Sequence, residues 1–352
     1  MPVIDSDAHV LETEQTWEYT LPEDAAYKPQ IVTRGDGQRF WLVDGQIKGQ
    51  VRGMVGAKGL AESVTRNMVT DPAKRFMDDI AGRIDHMDEL EIDVQVLYPS
   101  MYIQRWCETP QSEMAMSRAY NRWLAHIWEE GKGRLRWTCI LPLSNMDEAI
   151  KEARWAKEHG ACGITIRPVE GERLLVDEYY DPLYREAVAL NMPMAVHIGN
   201  SNPLFPKLMA ADKAGGTFAT FRLTSVAAAH AVISNDIVKK HPQLRFGIVE
   251  ASSQWVPYVV HDLRRRLNTR GRTLAEEPLR EHNVWVTCQT DDDIPYVLRY
   301  AGESQLLIGT DYGHQDQSSE IEALRNLRKS GDVDPAIVDR ILGENAITFY
   351  GL

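Results

Sequence analysis

The stretch Val3-Ile4-Asp5-Ser6-Asp7-Ala8-His9 reads as a β-strand opened by two β-formers. Strand side chains repeat every two residues, so strict alternation places Asp5, Asp7 and His9 on one face. Three ionisable groups pointing the same way are costly to bury unless something positive satisfies them. A divalent metal would do so, and Asp-x-His is a spacing that delivers two ligands to one ion. Taken alone, the stretch could equally be an exposed turn, so the rest of the chain decides.

Working outward, residues 11–75 form a long irregular stretch. Within it, Phe40-Trp41-Leu42-Val43-Asp44-Gly45-Gln46-Ile47 has the pattern of a hairpin with an Asp-Gly turn. From about residue 75 strands and helices alternate. Strands are expected at 93–99, 135–141, 163–167, 193–198, 244–250, 283–288 and 305–310. Helices are expected near 76–90, 111–131, 147–158 (capped by Ser144 or Asn145), from 181, 219–240, 255–267 and from 291. Two more, about 317–329 and 334–342, close the chain. With the first strand this makes eight strands, nearly all separated by helices, which is the pattern of a (β/α)8 TIM barrel. A doubly wound sheet would need a Gly-rich loop after the first strand, and Asp7-Ala8-His9-Val10-Leu11-Glu12 is not one. The whole chain, 1–352, thus reads as one barrel domain. Its insertion, 11–75, is expected as a lid over the mouth built with Trp17, Phe40, Trp41 and the glycines Gly53, Gly56 and Gly59, or as an interface.

The chain has 352 residues, 43% hydrophobic and 26% charged, with a formal net charge of −12, ordinary for a globular protein. The acidic balance argues against nucleic acid or anionic membrane as partner. No apolar run is long enough to span a bilayer and no leader-like segment is visible. Cys139, Cys162 and Cys288 sit in apolar runs and read as reduced core residues of a cytoplasmic protein.

In a barrel of this kind, chemistry sits at the C-terminal ends of the strands. Those ends carry Asp7 and His9, Arg167, His197, Glu250, and Asp311 with His314 three residues on. Independent strands converge there, so ligand-type side chains at several ends outweigh any one of them. The remaining histidines (His86, His126, His159, His230, His241, His261 and His282) are expected to be solvated or satisfied locally, His230 being the first exception to look for.

With these residues in view, the chain resembles the amidohydrolase superfamily, in particular the group that includes aminocarboxymuconate semialdehyde decarboxylase and aromatic-acid decarboxylases. The resemblance covers nearly the whole chain. Carrying it are the first stretch, Met87 to Pro99, His197 after Pro193-Met194-Ala195-Val196, Phe246 to Glu250 with Trp255-Val256-Pro257-Tyr258, Gly309-Thr310-Asp311-Tyr312-Gly313-His314, and the closing Asn345 to Leu352. It implies metal ligands at Asp7, His9, His197 and Asp311. Two departures stand out: Asp7 replaces the first histidine of the usual His-x-His pair, and Glu250 stands where the decarboxylases carry a histidine.

The residues and the resemblance together point to a metal-dependent enzyme acting on a small-molecule substrate. Zinc is the first expectation, with manganese or iron as alternatives for so oxygen-rich a ligand set. The leading reading is a hydrolase or non-oxidative decarboxylase of a carboxylate-bearing substrate, using a metal-bound water. Glu250 or Asp311 would be general base, and Arg167 would anchor the substrate carboxylate or else form a rim ion pair. A second reading adds Glu250 and His314 as ligands for two ions, iron or manganese, in an oxygenase acting on an amine or amino-acid-like substrate. A third is a metal-bound partner subunit of little activity. A homo-oligomer or a complex with a homologous subunit is expected.

Overall fold

The computed structural model describes residues 1–52, 70–212, 217–314 and 318–352. Its short apolar runs pair as eight parallel strands in the order Ile4–Val10, Val94–Pro99, Leu135–Cys139, Ala161–Ile166, Met194–His197, Phe246–Val249, Val284–Cys288 and Leu306–Ile308. Each is covered on one side by helices and on the other by the barrel interior, which is why they read as near-continuous hydrophobic runs. The arrangement is a nearly closed (β/α)8 barrel, as the alternating pattern predicts.

Closure is confined to one end. Among the described residues, the first and last strands share no continuous ladder. They meet at their C-terminal ends through Asp311 N–H to the Asp7 carbonyl (2.7 Å), His9 N–H to the Tyr312 carbonyl (2.6 Å) and an Ala8–Tyr312 bridge. Gly309 permits this approach, because a Cβ there would lie 2.2 Å from the Cβ of Asp7.

The interior holds Ile4, Val96, Tyr98, Cys162, Ala195, Val249, Trp285 and Leu307, all buried. Its floor is the last helix, Asn345–Tyr350, which lies beyond the helices expected from the sequence. This helix sends Phe349 and Tyr350 into the same cluster. Gly247 makes room for it: a Cβ there would lie 2.3 Å from the Phe349 ring.

The described part of the insertion holds two short 3-10 helices, Gln15–Tyr19 and Pro22–Tyr27, and a three-stranded antiparallel sheet. The expected hairpin is present as Arg39–Val43 and Gln46–Gln50. Its turn residues Asp44 and Gly45 both have positive φ (50° and 73°), the geometry that suits the twist of two strands joined by two residues. Trp17 and Trp41 are buried edge to face, 6.2 Å apart. Gly53, Gly56 and Gly59 lie outside the described residues. Elsewhere Asn145, not Ser144, caps Met146–Glu158. The expected helix 219–240 is interrupted at Asp236, which turns left-handed (φ 50°). Among the described residues no helix is long and apolar enough to cross a membrane.

Candidate metal centre

The first strand departs from strict alternation, and the site depends on the departure. Asp5 pairs with Gln95 and Ala8 with Leu97, so three steps on the first strand match two on its neighbour. Gln95 and Leu97 share a face by the period of two, so Asp5 and Ala8 share one as well, and Asp7 and His9 take the other. This is a β-bulge, one extra residue that re-aims the side chains after it. The expectation that Asp5 joins Asp7 and His9 is therefore corrected. The Asp5 carboxylate accepts from Gln95 Nε2 (2.8 Å), Thr310 N–H (2.9 Å) and Thr310 Oγ1 (2.6 Å).

Asp7 and His9 meet His197, Glu250, Asp311 and His314 at the mouth, and all six are buried. His9 Nε2 lies 3.1 Å from His197 Nε2, 3.4 Å from Asp7 Oδ1, 3.5 Å from Asp311 Oδ1 and 3.6 Å from Glu250 Oε2. His197 Nε2 lies 3.1 Å from Glu250 Oε2 and 3.5 Å from Asp7 Oδ1. Two overlapping groups of four could each hold an ion: Asp7, His9, His197 and Glu250, and His9, Glu250, Asp311 and His314.

The backbone is shaped to present these groups. Glu250 and Asp311 both sit in the left-handed region, with φ of 62° and 52°, a conformation that costs free energy in a non-glycine residue and recurs at functional sites. Gly313, with φ +110°, turns the chain so that His314 folds back into the mouth. There His314 Nδ1 stands 2.8 Å from Asp311 Oδ1, and its Nε2 stands 2.7 Å from Ser100 Oγ. Ser319 Oγ donates to Asp311 Oδ2 (2.6 Å).

The donor set fits a cation. Three buried carboxylates crowd two imidazoles, and Asp7 Oδ1 and Glu250 Oε2 receive no hydrogen bond. The ligand atoms face a common centre instead of pairing off, which is how a divalent ion would satisfy them. Burial pushes the Asp7 and Glu250 carboxyls up, but the neighbouring His197 and His9 imidazoles outweigh it. Asp7 is held below the ordinary carboxylate range and Glu250 well below it. Burial opposes charge on His197, yet Asp7 and Glu250 prevail and push it up to about 10.

Arg167 lies at the mouth with its nitrogens engaged. Nε and Nη2 bond Glu170 (2.9 and 2.7 Å), and Nη1 donates to the carbonyls of Tyr102 (3.2 Å) and Gln104 (2.7 Å). The contact with Glu170 is an ion pair. The pair lines a cavity of ≈ 290 Å³ walled by Tyr102, Trp106, Ile140, Leu141 and Tyr180, and none of the six converging residues lines it. His230 is satisfied locally by Asp262 (3.1 Å) and is not the exception among the outlying histidines.

His86 is likewise paired. Its Nδ1 bonds the Tyr312 hydroxyl (2.8 Å), directly behind the Asp311–His314 turn. Arg83, fully buried on the same helix, lies 3.4 Å over the Tyr312 ring and bonds Gln95 Oε1 (2.7 Å). Sequence reasoning missed Arg83, Ser100 and Ser319. Only Ser100, next to the strand-ending Pro99, carried a positional signal.

The fold is similar to that of an amidohydrolase from Mycobacterium avium subsp. paratuberculosis, with a TM-score of 0.78 and 21% identity over 99% of both chains. It is also similar to 5-carboxyvanillate decarboxylase from Novosphingobium aromaticivorans, solved with manganese and 4-hydroxy-3-methoxy-5-nitrobenzoic acid (TM-score 0.72, 18% identity, 100% of this chain and 96% of that one). A third similar structure is 2,6-dihydroxybenzoate decarboxylase complexed with 2,6-dihydroxybenzoate (TM-score 0.67, 14% identity, 100% of both chains). Comparison with curated protein sequences gives no match. A family model for amidohydrolases matches residues 4–352, essentially the whole barrel with every candidate ligand in it, and the chain belongs to that family.

Proposed function

We propose that this protein is a metal-dependent non-oxidative decarboxylase of small aromatic carboxylates, with metal-dependent hydrolysis as the other reaction open to the same site. The observation that carries the reading is the convergence of Asp7, His9, His197, Glu250 and Asp311 on one buried centre, with two carboxylate oxygens left without a hydrogen bond. The decarboxylases of similar fold support the reaction class.

Asp7, His9, His197 and Glu250 would hold the ion, with Asp311 beside them. Once bound, it would supply Lewis-acid polarisation of a substrate oxygen. Manganese is the first metal to test, ahead of zinc, because it accompanies the 5-carboxyvanillate enzyme and because carboxylate-rich sites suit it. Loss of carbon dioxide leaves an electron pair on carbon, and a proton must fill it. The Asp311–His314 pair is placed to deliver that proton, since His314 links Asp311 to the Ser100 hydroxyl. In hydrolysis the same pair, or Glu250, would take a proton from the attacking water. The comparisons lend no support to an oxygen-activating reaction.

The test is direct. Protein loaded with Mn2+ is incubated anaerobically with a panel of hydroxylated benzoates, and carbon dioxide release is followed. Aryl amides and esters are run in parallel. Turnover of a benzoate that chelator abolishes supports decarboxylation, and turnover in the amide or ester arm alone makes the protein a hydrolase. Turnover only in the presence of oxygen would sink both.

A further inference from the structure

We propose that Tyr350, on the last helix, is a positioning residue of the metal centre, acting through Tyr98 and through the bulge that aims Asp7. The proposal rests on the metal-centre reading above. The Tyr350 hydroxyl lies 2.8 Å from the Ser6 carbonyl and 2.6 Å from the Tyr98 hydroxyl. A carbonyl can only accept, so Tyr350 gives its one proton to Ser6, and Tyr98 must give its own to Tyr350. The donor order is therefore settled without seeing a hydrogen.

Both ends of this chain of bonds matter. Ser6 lies inside the bulge, where the register slips between Asp5 and Ala8. A bulge disrupts the ladder locally, and a buried carbonyl in it needs a partner. Tyr350 provides one from below, at the step that turns Asp5 away and Asp7 inward. At the other end, the Tyr98 ring packs beneath both metal-binding imidazoles, 5.0 Å from His197 and 6.1 Å from His9. Tyr98 and Tyr350 are both fully buried, so solvent cannot replace either bond. The end of the chain thereby sets the direction of one carboxylate ligand and the seat of two imidazoles without touching an ion.

The full-length protein and its Tyr350→Phe and Phe349→Leu variants would be stripped with chelator and titrated with Mn2+ by calorimetry. Visible absorption after Co2+ substitution reports ligand geometry independently of activity. Positioning groups of this kind govern metal affinity by about 10–100-fold. Tyr350→Phe should weaken Mn2+ binding at least tenfold and shift the Co2+ bands. Phe349→Leu, which thins the floor but keeps both hydroxyls, should lower the melting temperature and leave binding and bands unchanged. Less than tenfold weakening in Tyr350→Phe, or equal weakening in Phe349→Leu, overturns the proposal and leaves the metal centre standing. If the wild type takes up no Mn2+, both readings fall. Should Tyr350→Phe not fold, Tyr98→Phe removes the other hydroxyl and is judged by the same tenfold criterion.

Discussion

The imidazole of His314 lies stacked on that of His9, with ring centroids 3.8 Å apart and planes 26° from parallel. His9 turns Nε2 toward the carboxylates, whereas both nitrogens of His314 are taken by Asp311 and Ser100. The expected occupancy is one ion, enclosed by Asp7, His9, His197 and Glu250, with His314 orienting Asp311. An anomalous-scattering map recorded at the manganese, iron and zinc edges checks this. A second peak roughly 3.5–4 Å away, between Glu250 and His314, would make the centre dinuclear.

Glu250→Gln keeps the shape and the left-handed backbone but removes a charge that His197 and His9 hold ionised. We expect the variant to fold, to lose Mn2+ affinity by at least about tenfold, or ~1.4 kcal/mol, and to lose most turnover. Elemental analysis and calorimetry read the first, and carbon dioxide release the second. Unchanged values in both would reduce Glu250 to a rim residue.

Arg167 separates a structural from a substrate role. Arg167→Ala leaves Glu170 buried without its partner, a loss worth roughly 3–5 kcal/mol. Chemical denaturation should show this, and the double variant Arg167→Met, Glu170→Gln should regain much of it. A substrate anchor would behave differently, raising KM while leaving stability untouched.

Glu12 predicts a pH effect on stability. It is buried, accepts from the Ser100 and Met101 N–H groups (3.2 and 3.0 Å), and burial pushes its carboxyl from 4.5 up to about 7. The folded state therefore binds this proton more tightly than the unfolded chain. The resulting stability is fully present below about pH 4.5 and lost as pH rises through 7. Glu12→Gln lacks this component. Relative to wild type, its unfolding free energy should rise between pH 4.5 and 8 by up to roughly 3 kcal/mol. Parallel urea titrations measure the difference, and a constant gap across that range would refute the assignment.

The barrel was legible because each buried strand is an apolar run and helices separate nearly all of them. The candidate ligands were legible as a converging set because they fall at strand ends, where position alone implies convergence. Asp5 was misplaced because a bulge is a property of register between two strands, which a single strand cannot reveal. The ion pair of Arg167 with Glu170, three residues on, is visible only once the strand end is folded. The pairings of Tyr350 and His86 were invisible for another reason: their partners Ser6 and Tyr312 are separated from them by hundreds of residues, and no local pattern encodes such a pairing.

The seam between the first and last strands has a dynamic consequence. Among the described residues its backbone hydrogen bonds lie at the end where Asp7 and His9 face Asp311. Any ion held there clasps the beginning of the chain to its end, across a loop closure of some three hundred residues whose entropy local contacts do not repay. Amides along this seam, those of His9 and Asp311 first, should exchange with solvent faster once the metal is stripped, while the strand pairs on the far wall stay protected. Metal loading would then be the last step of folding as well as the first of catalysis.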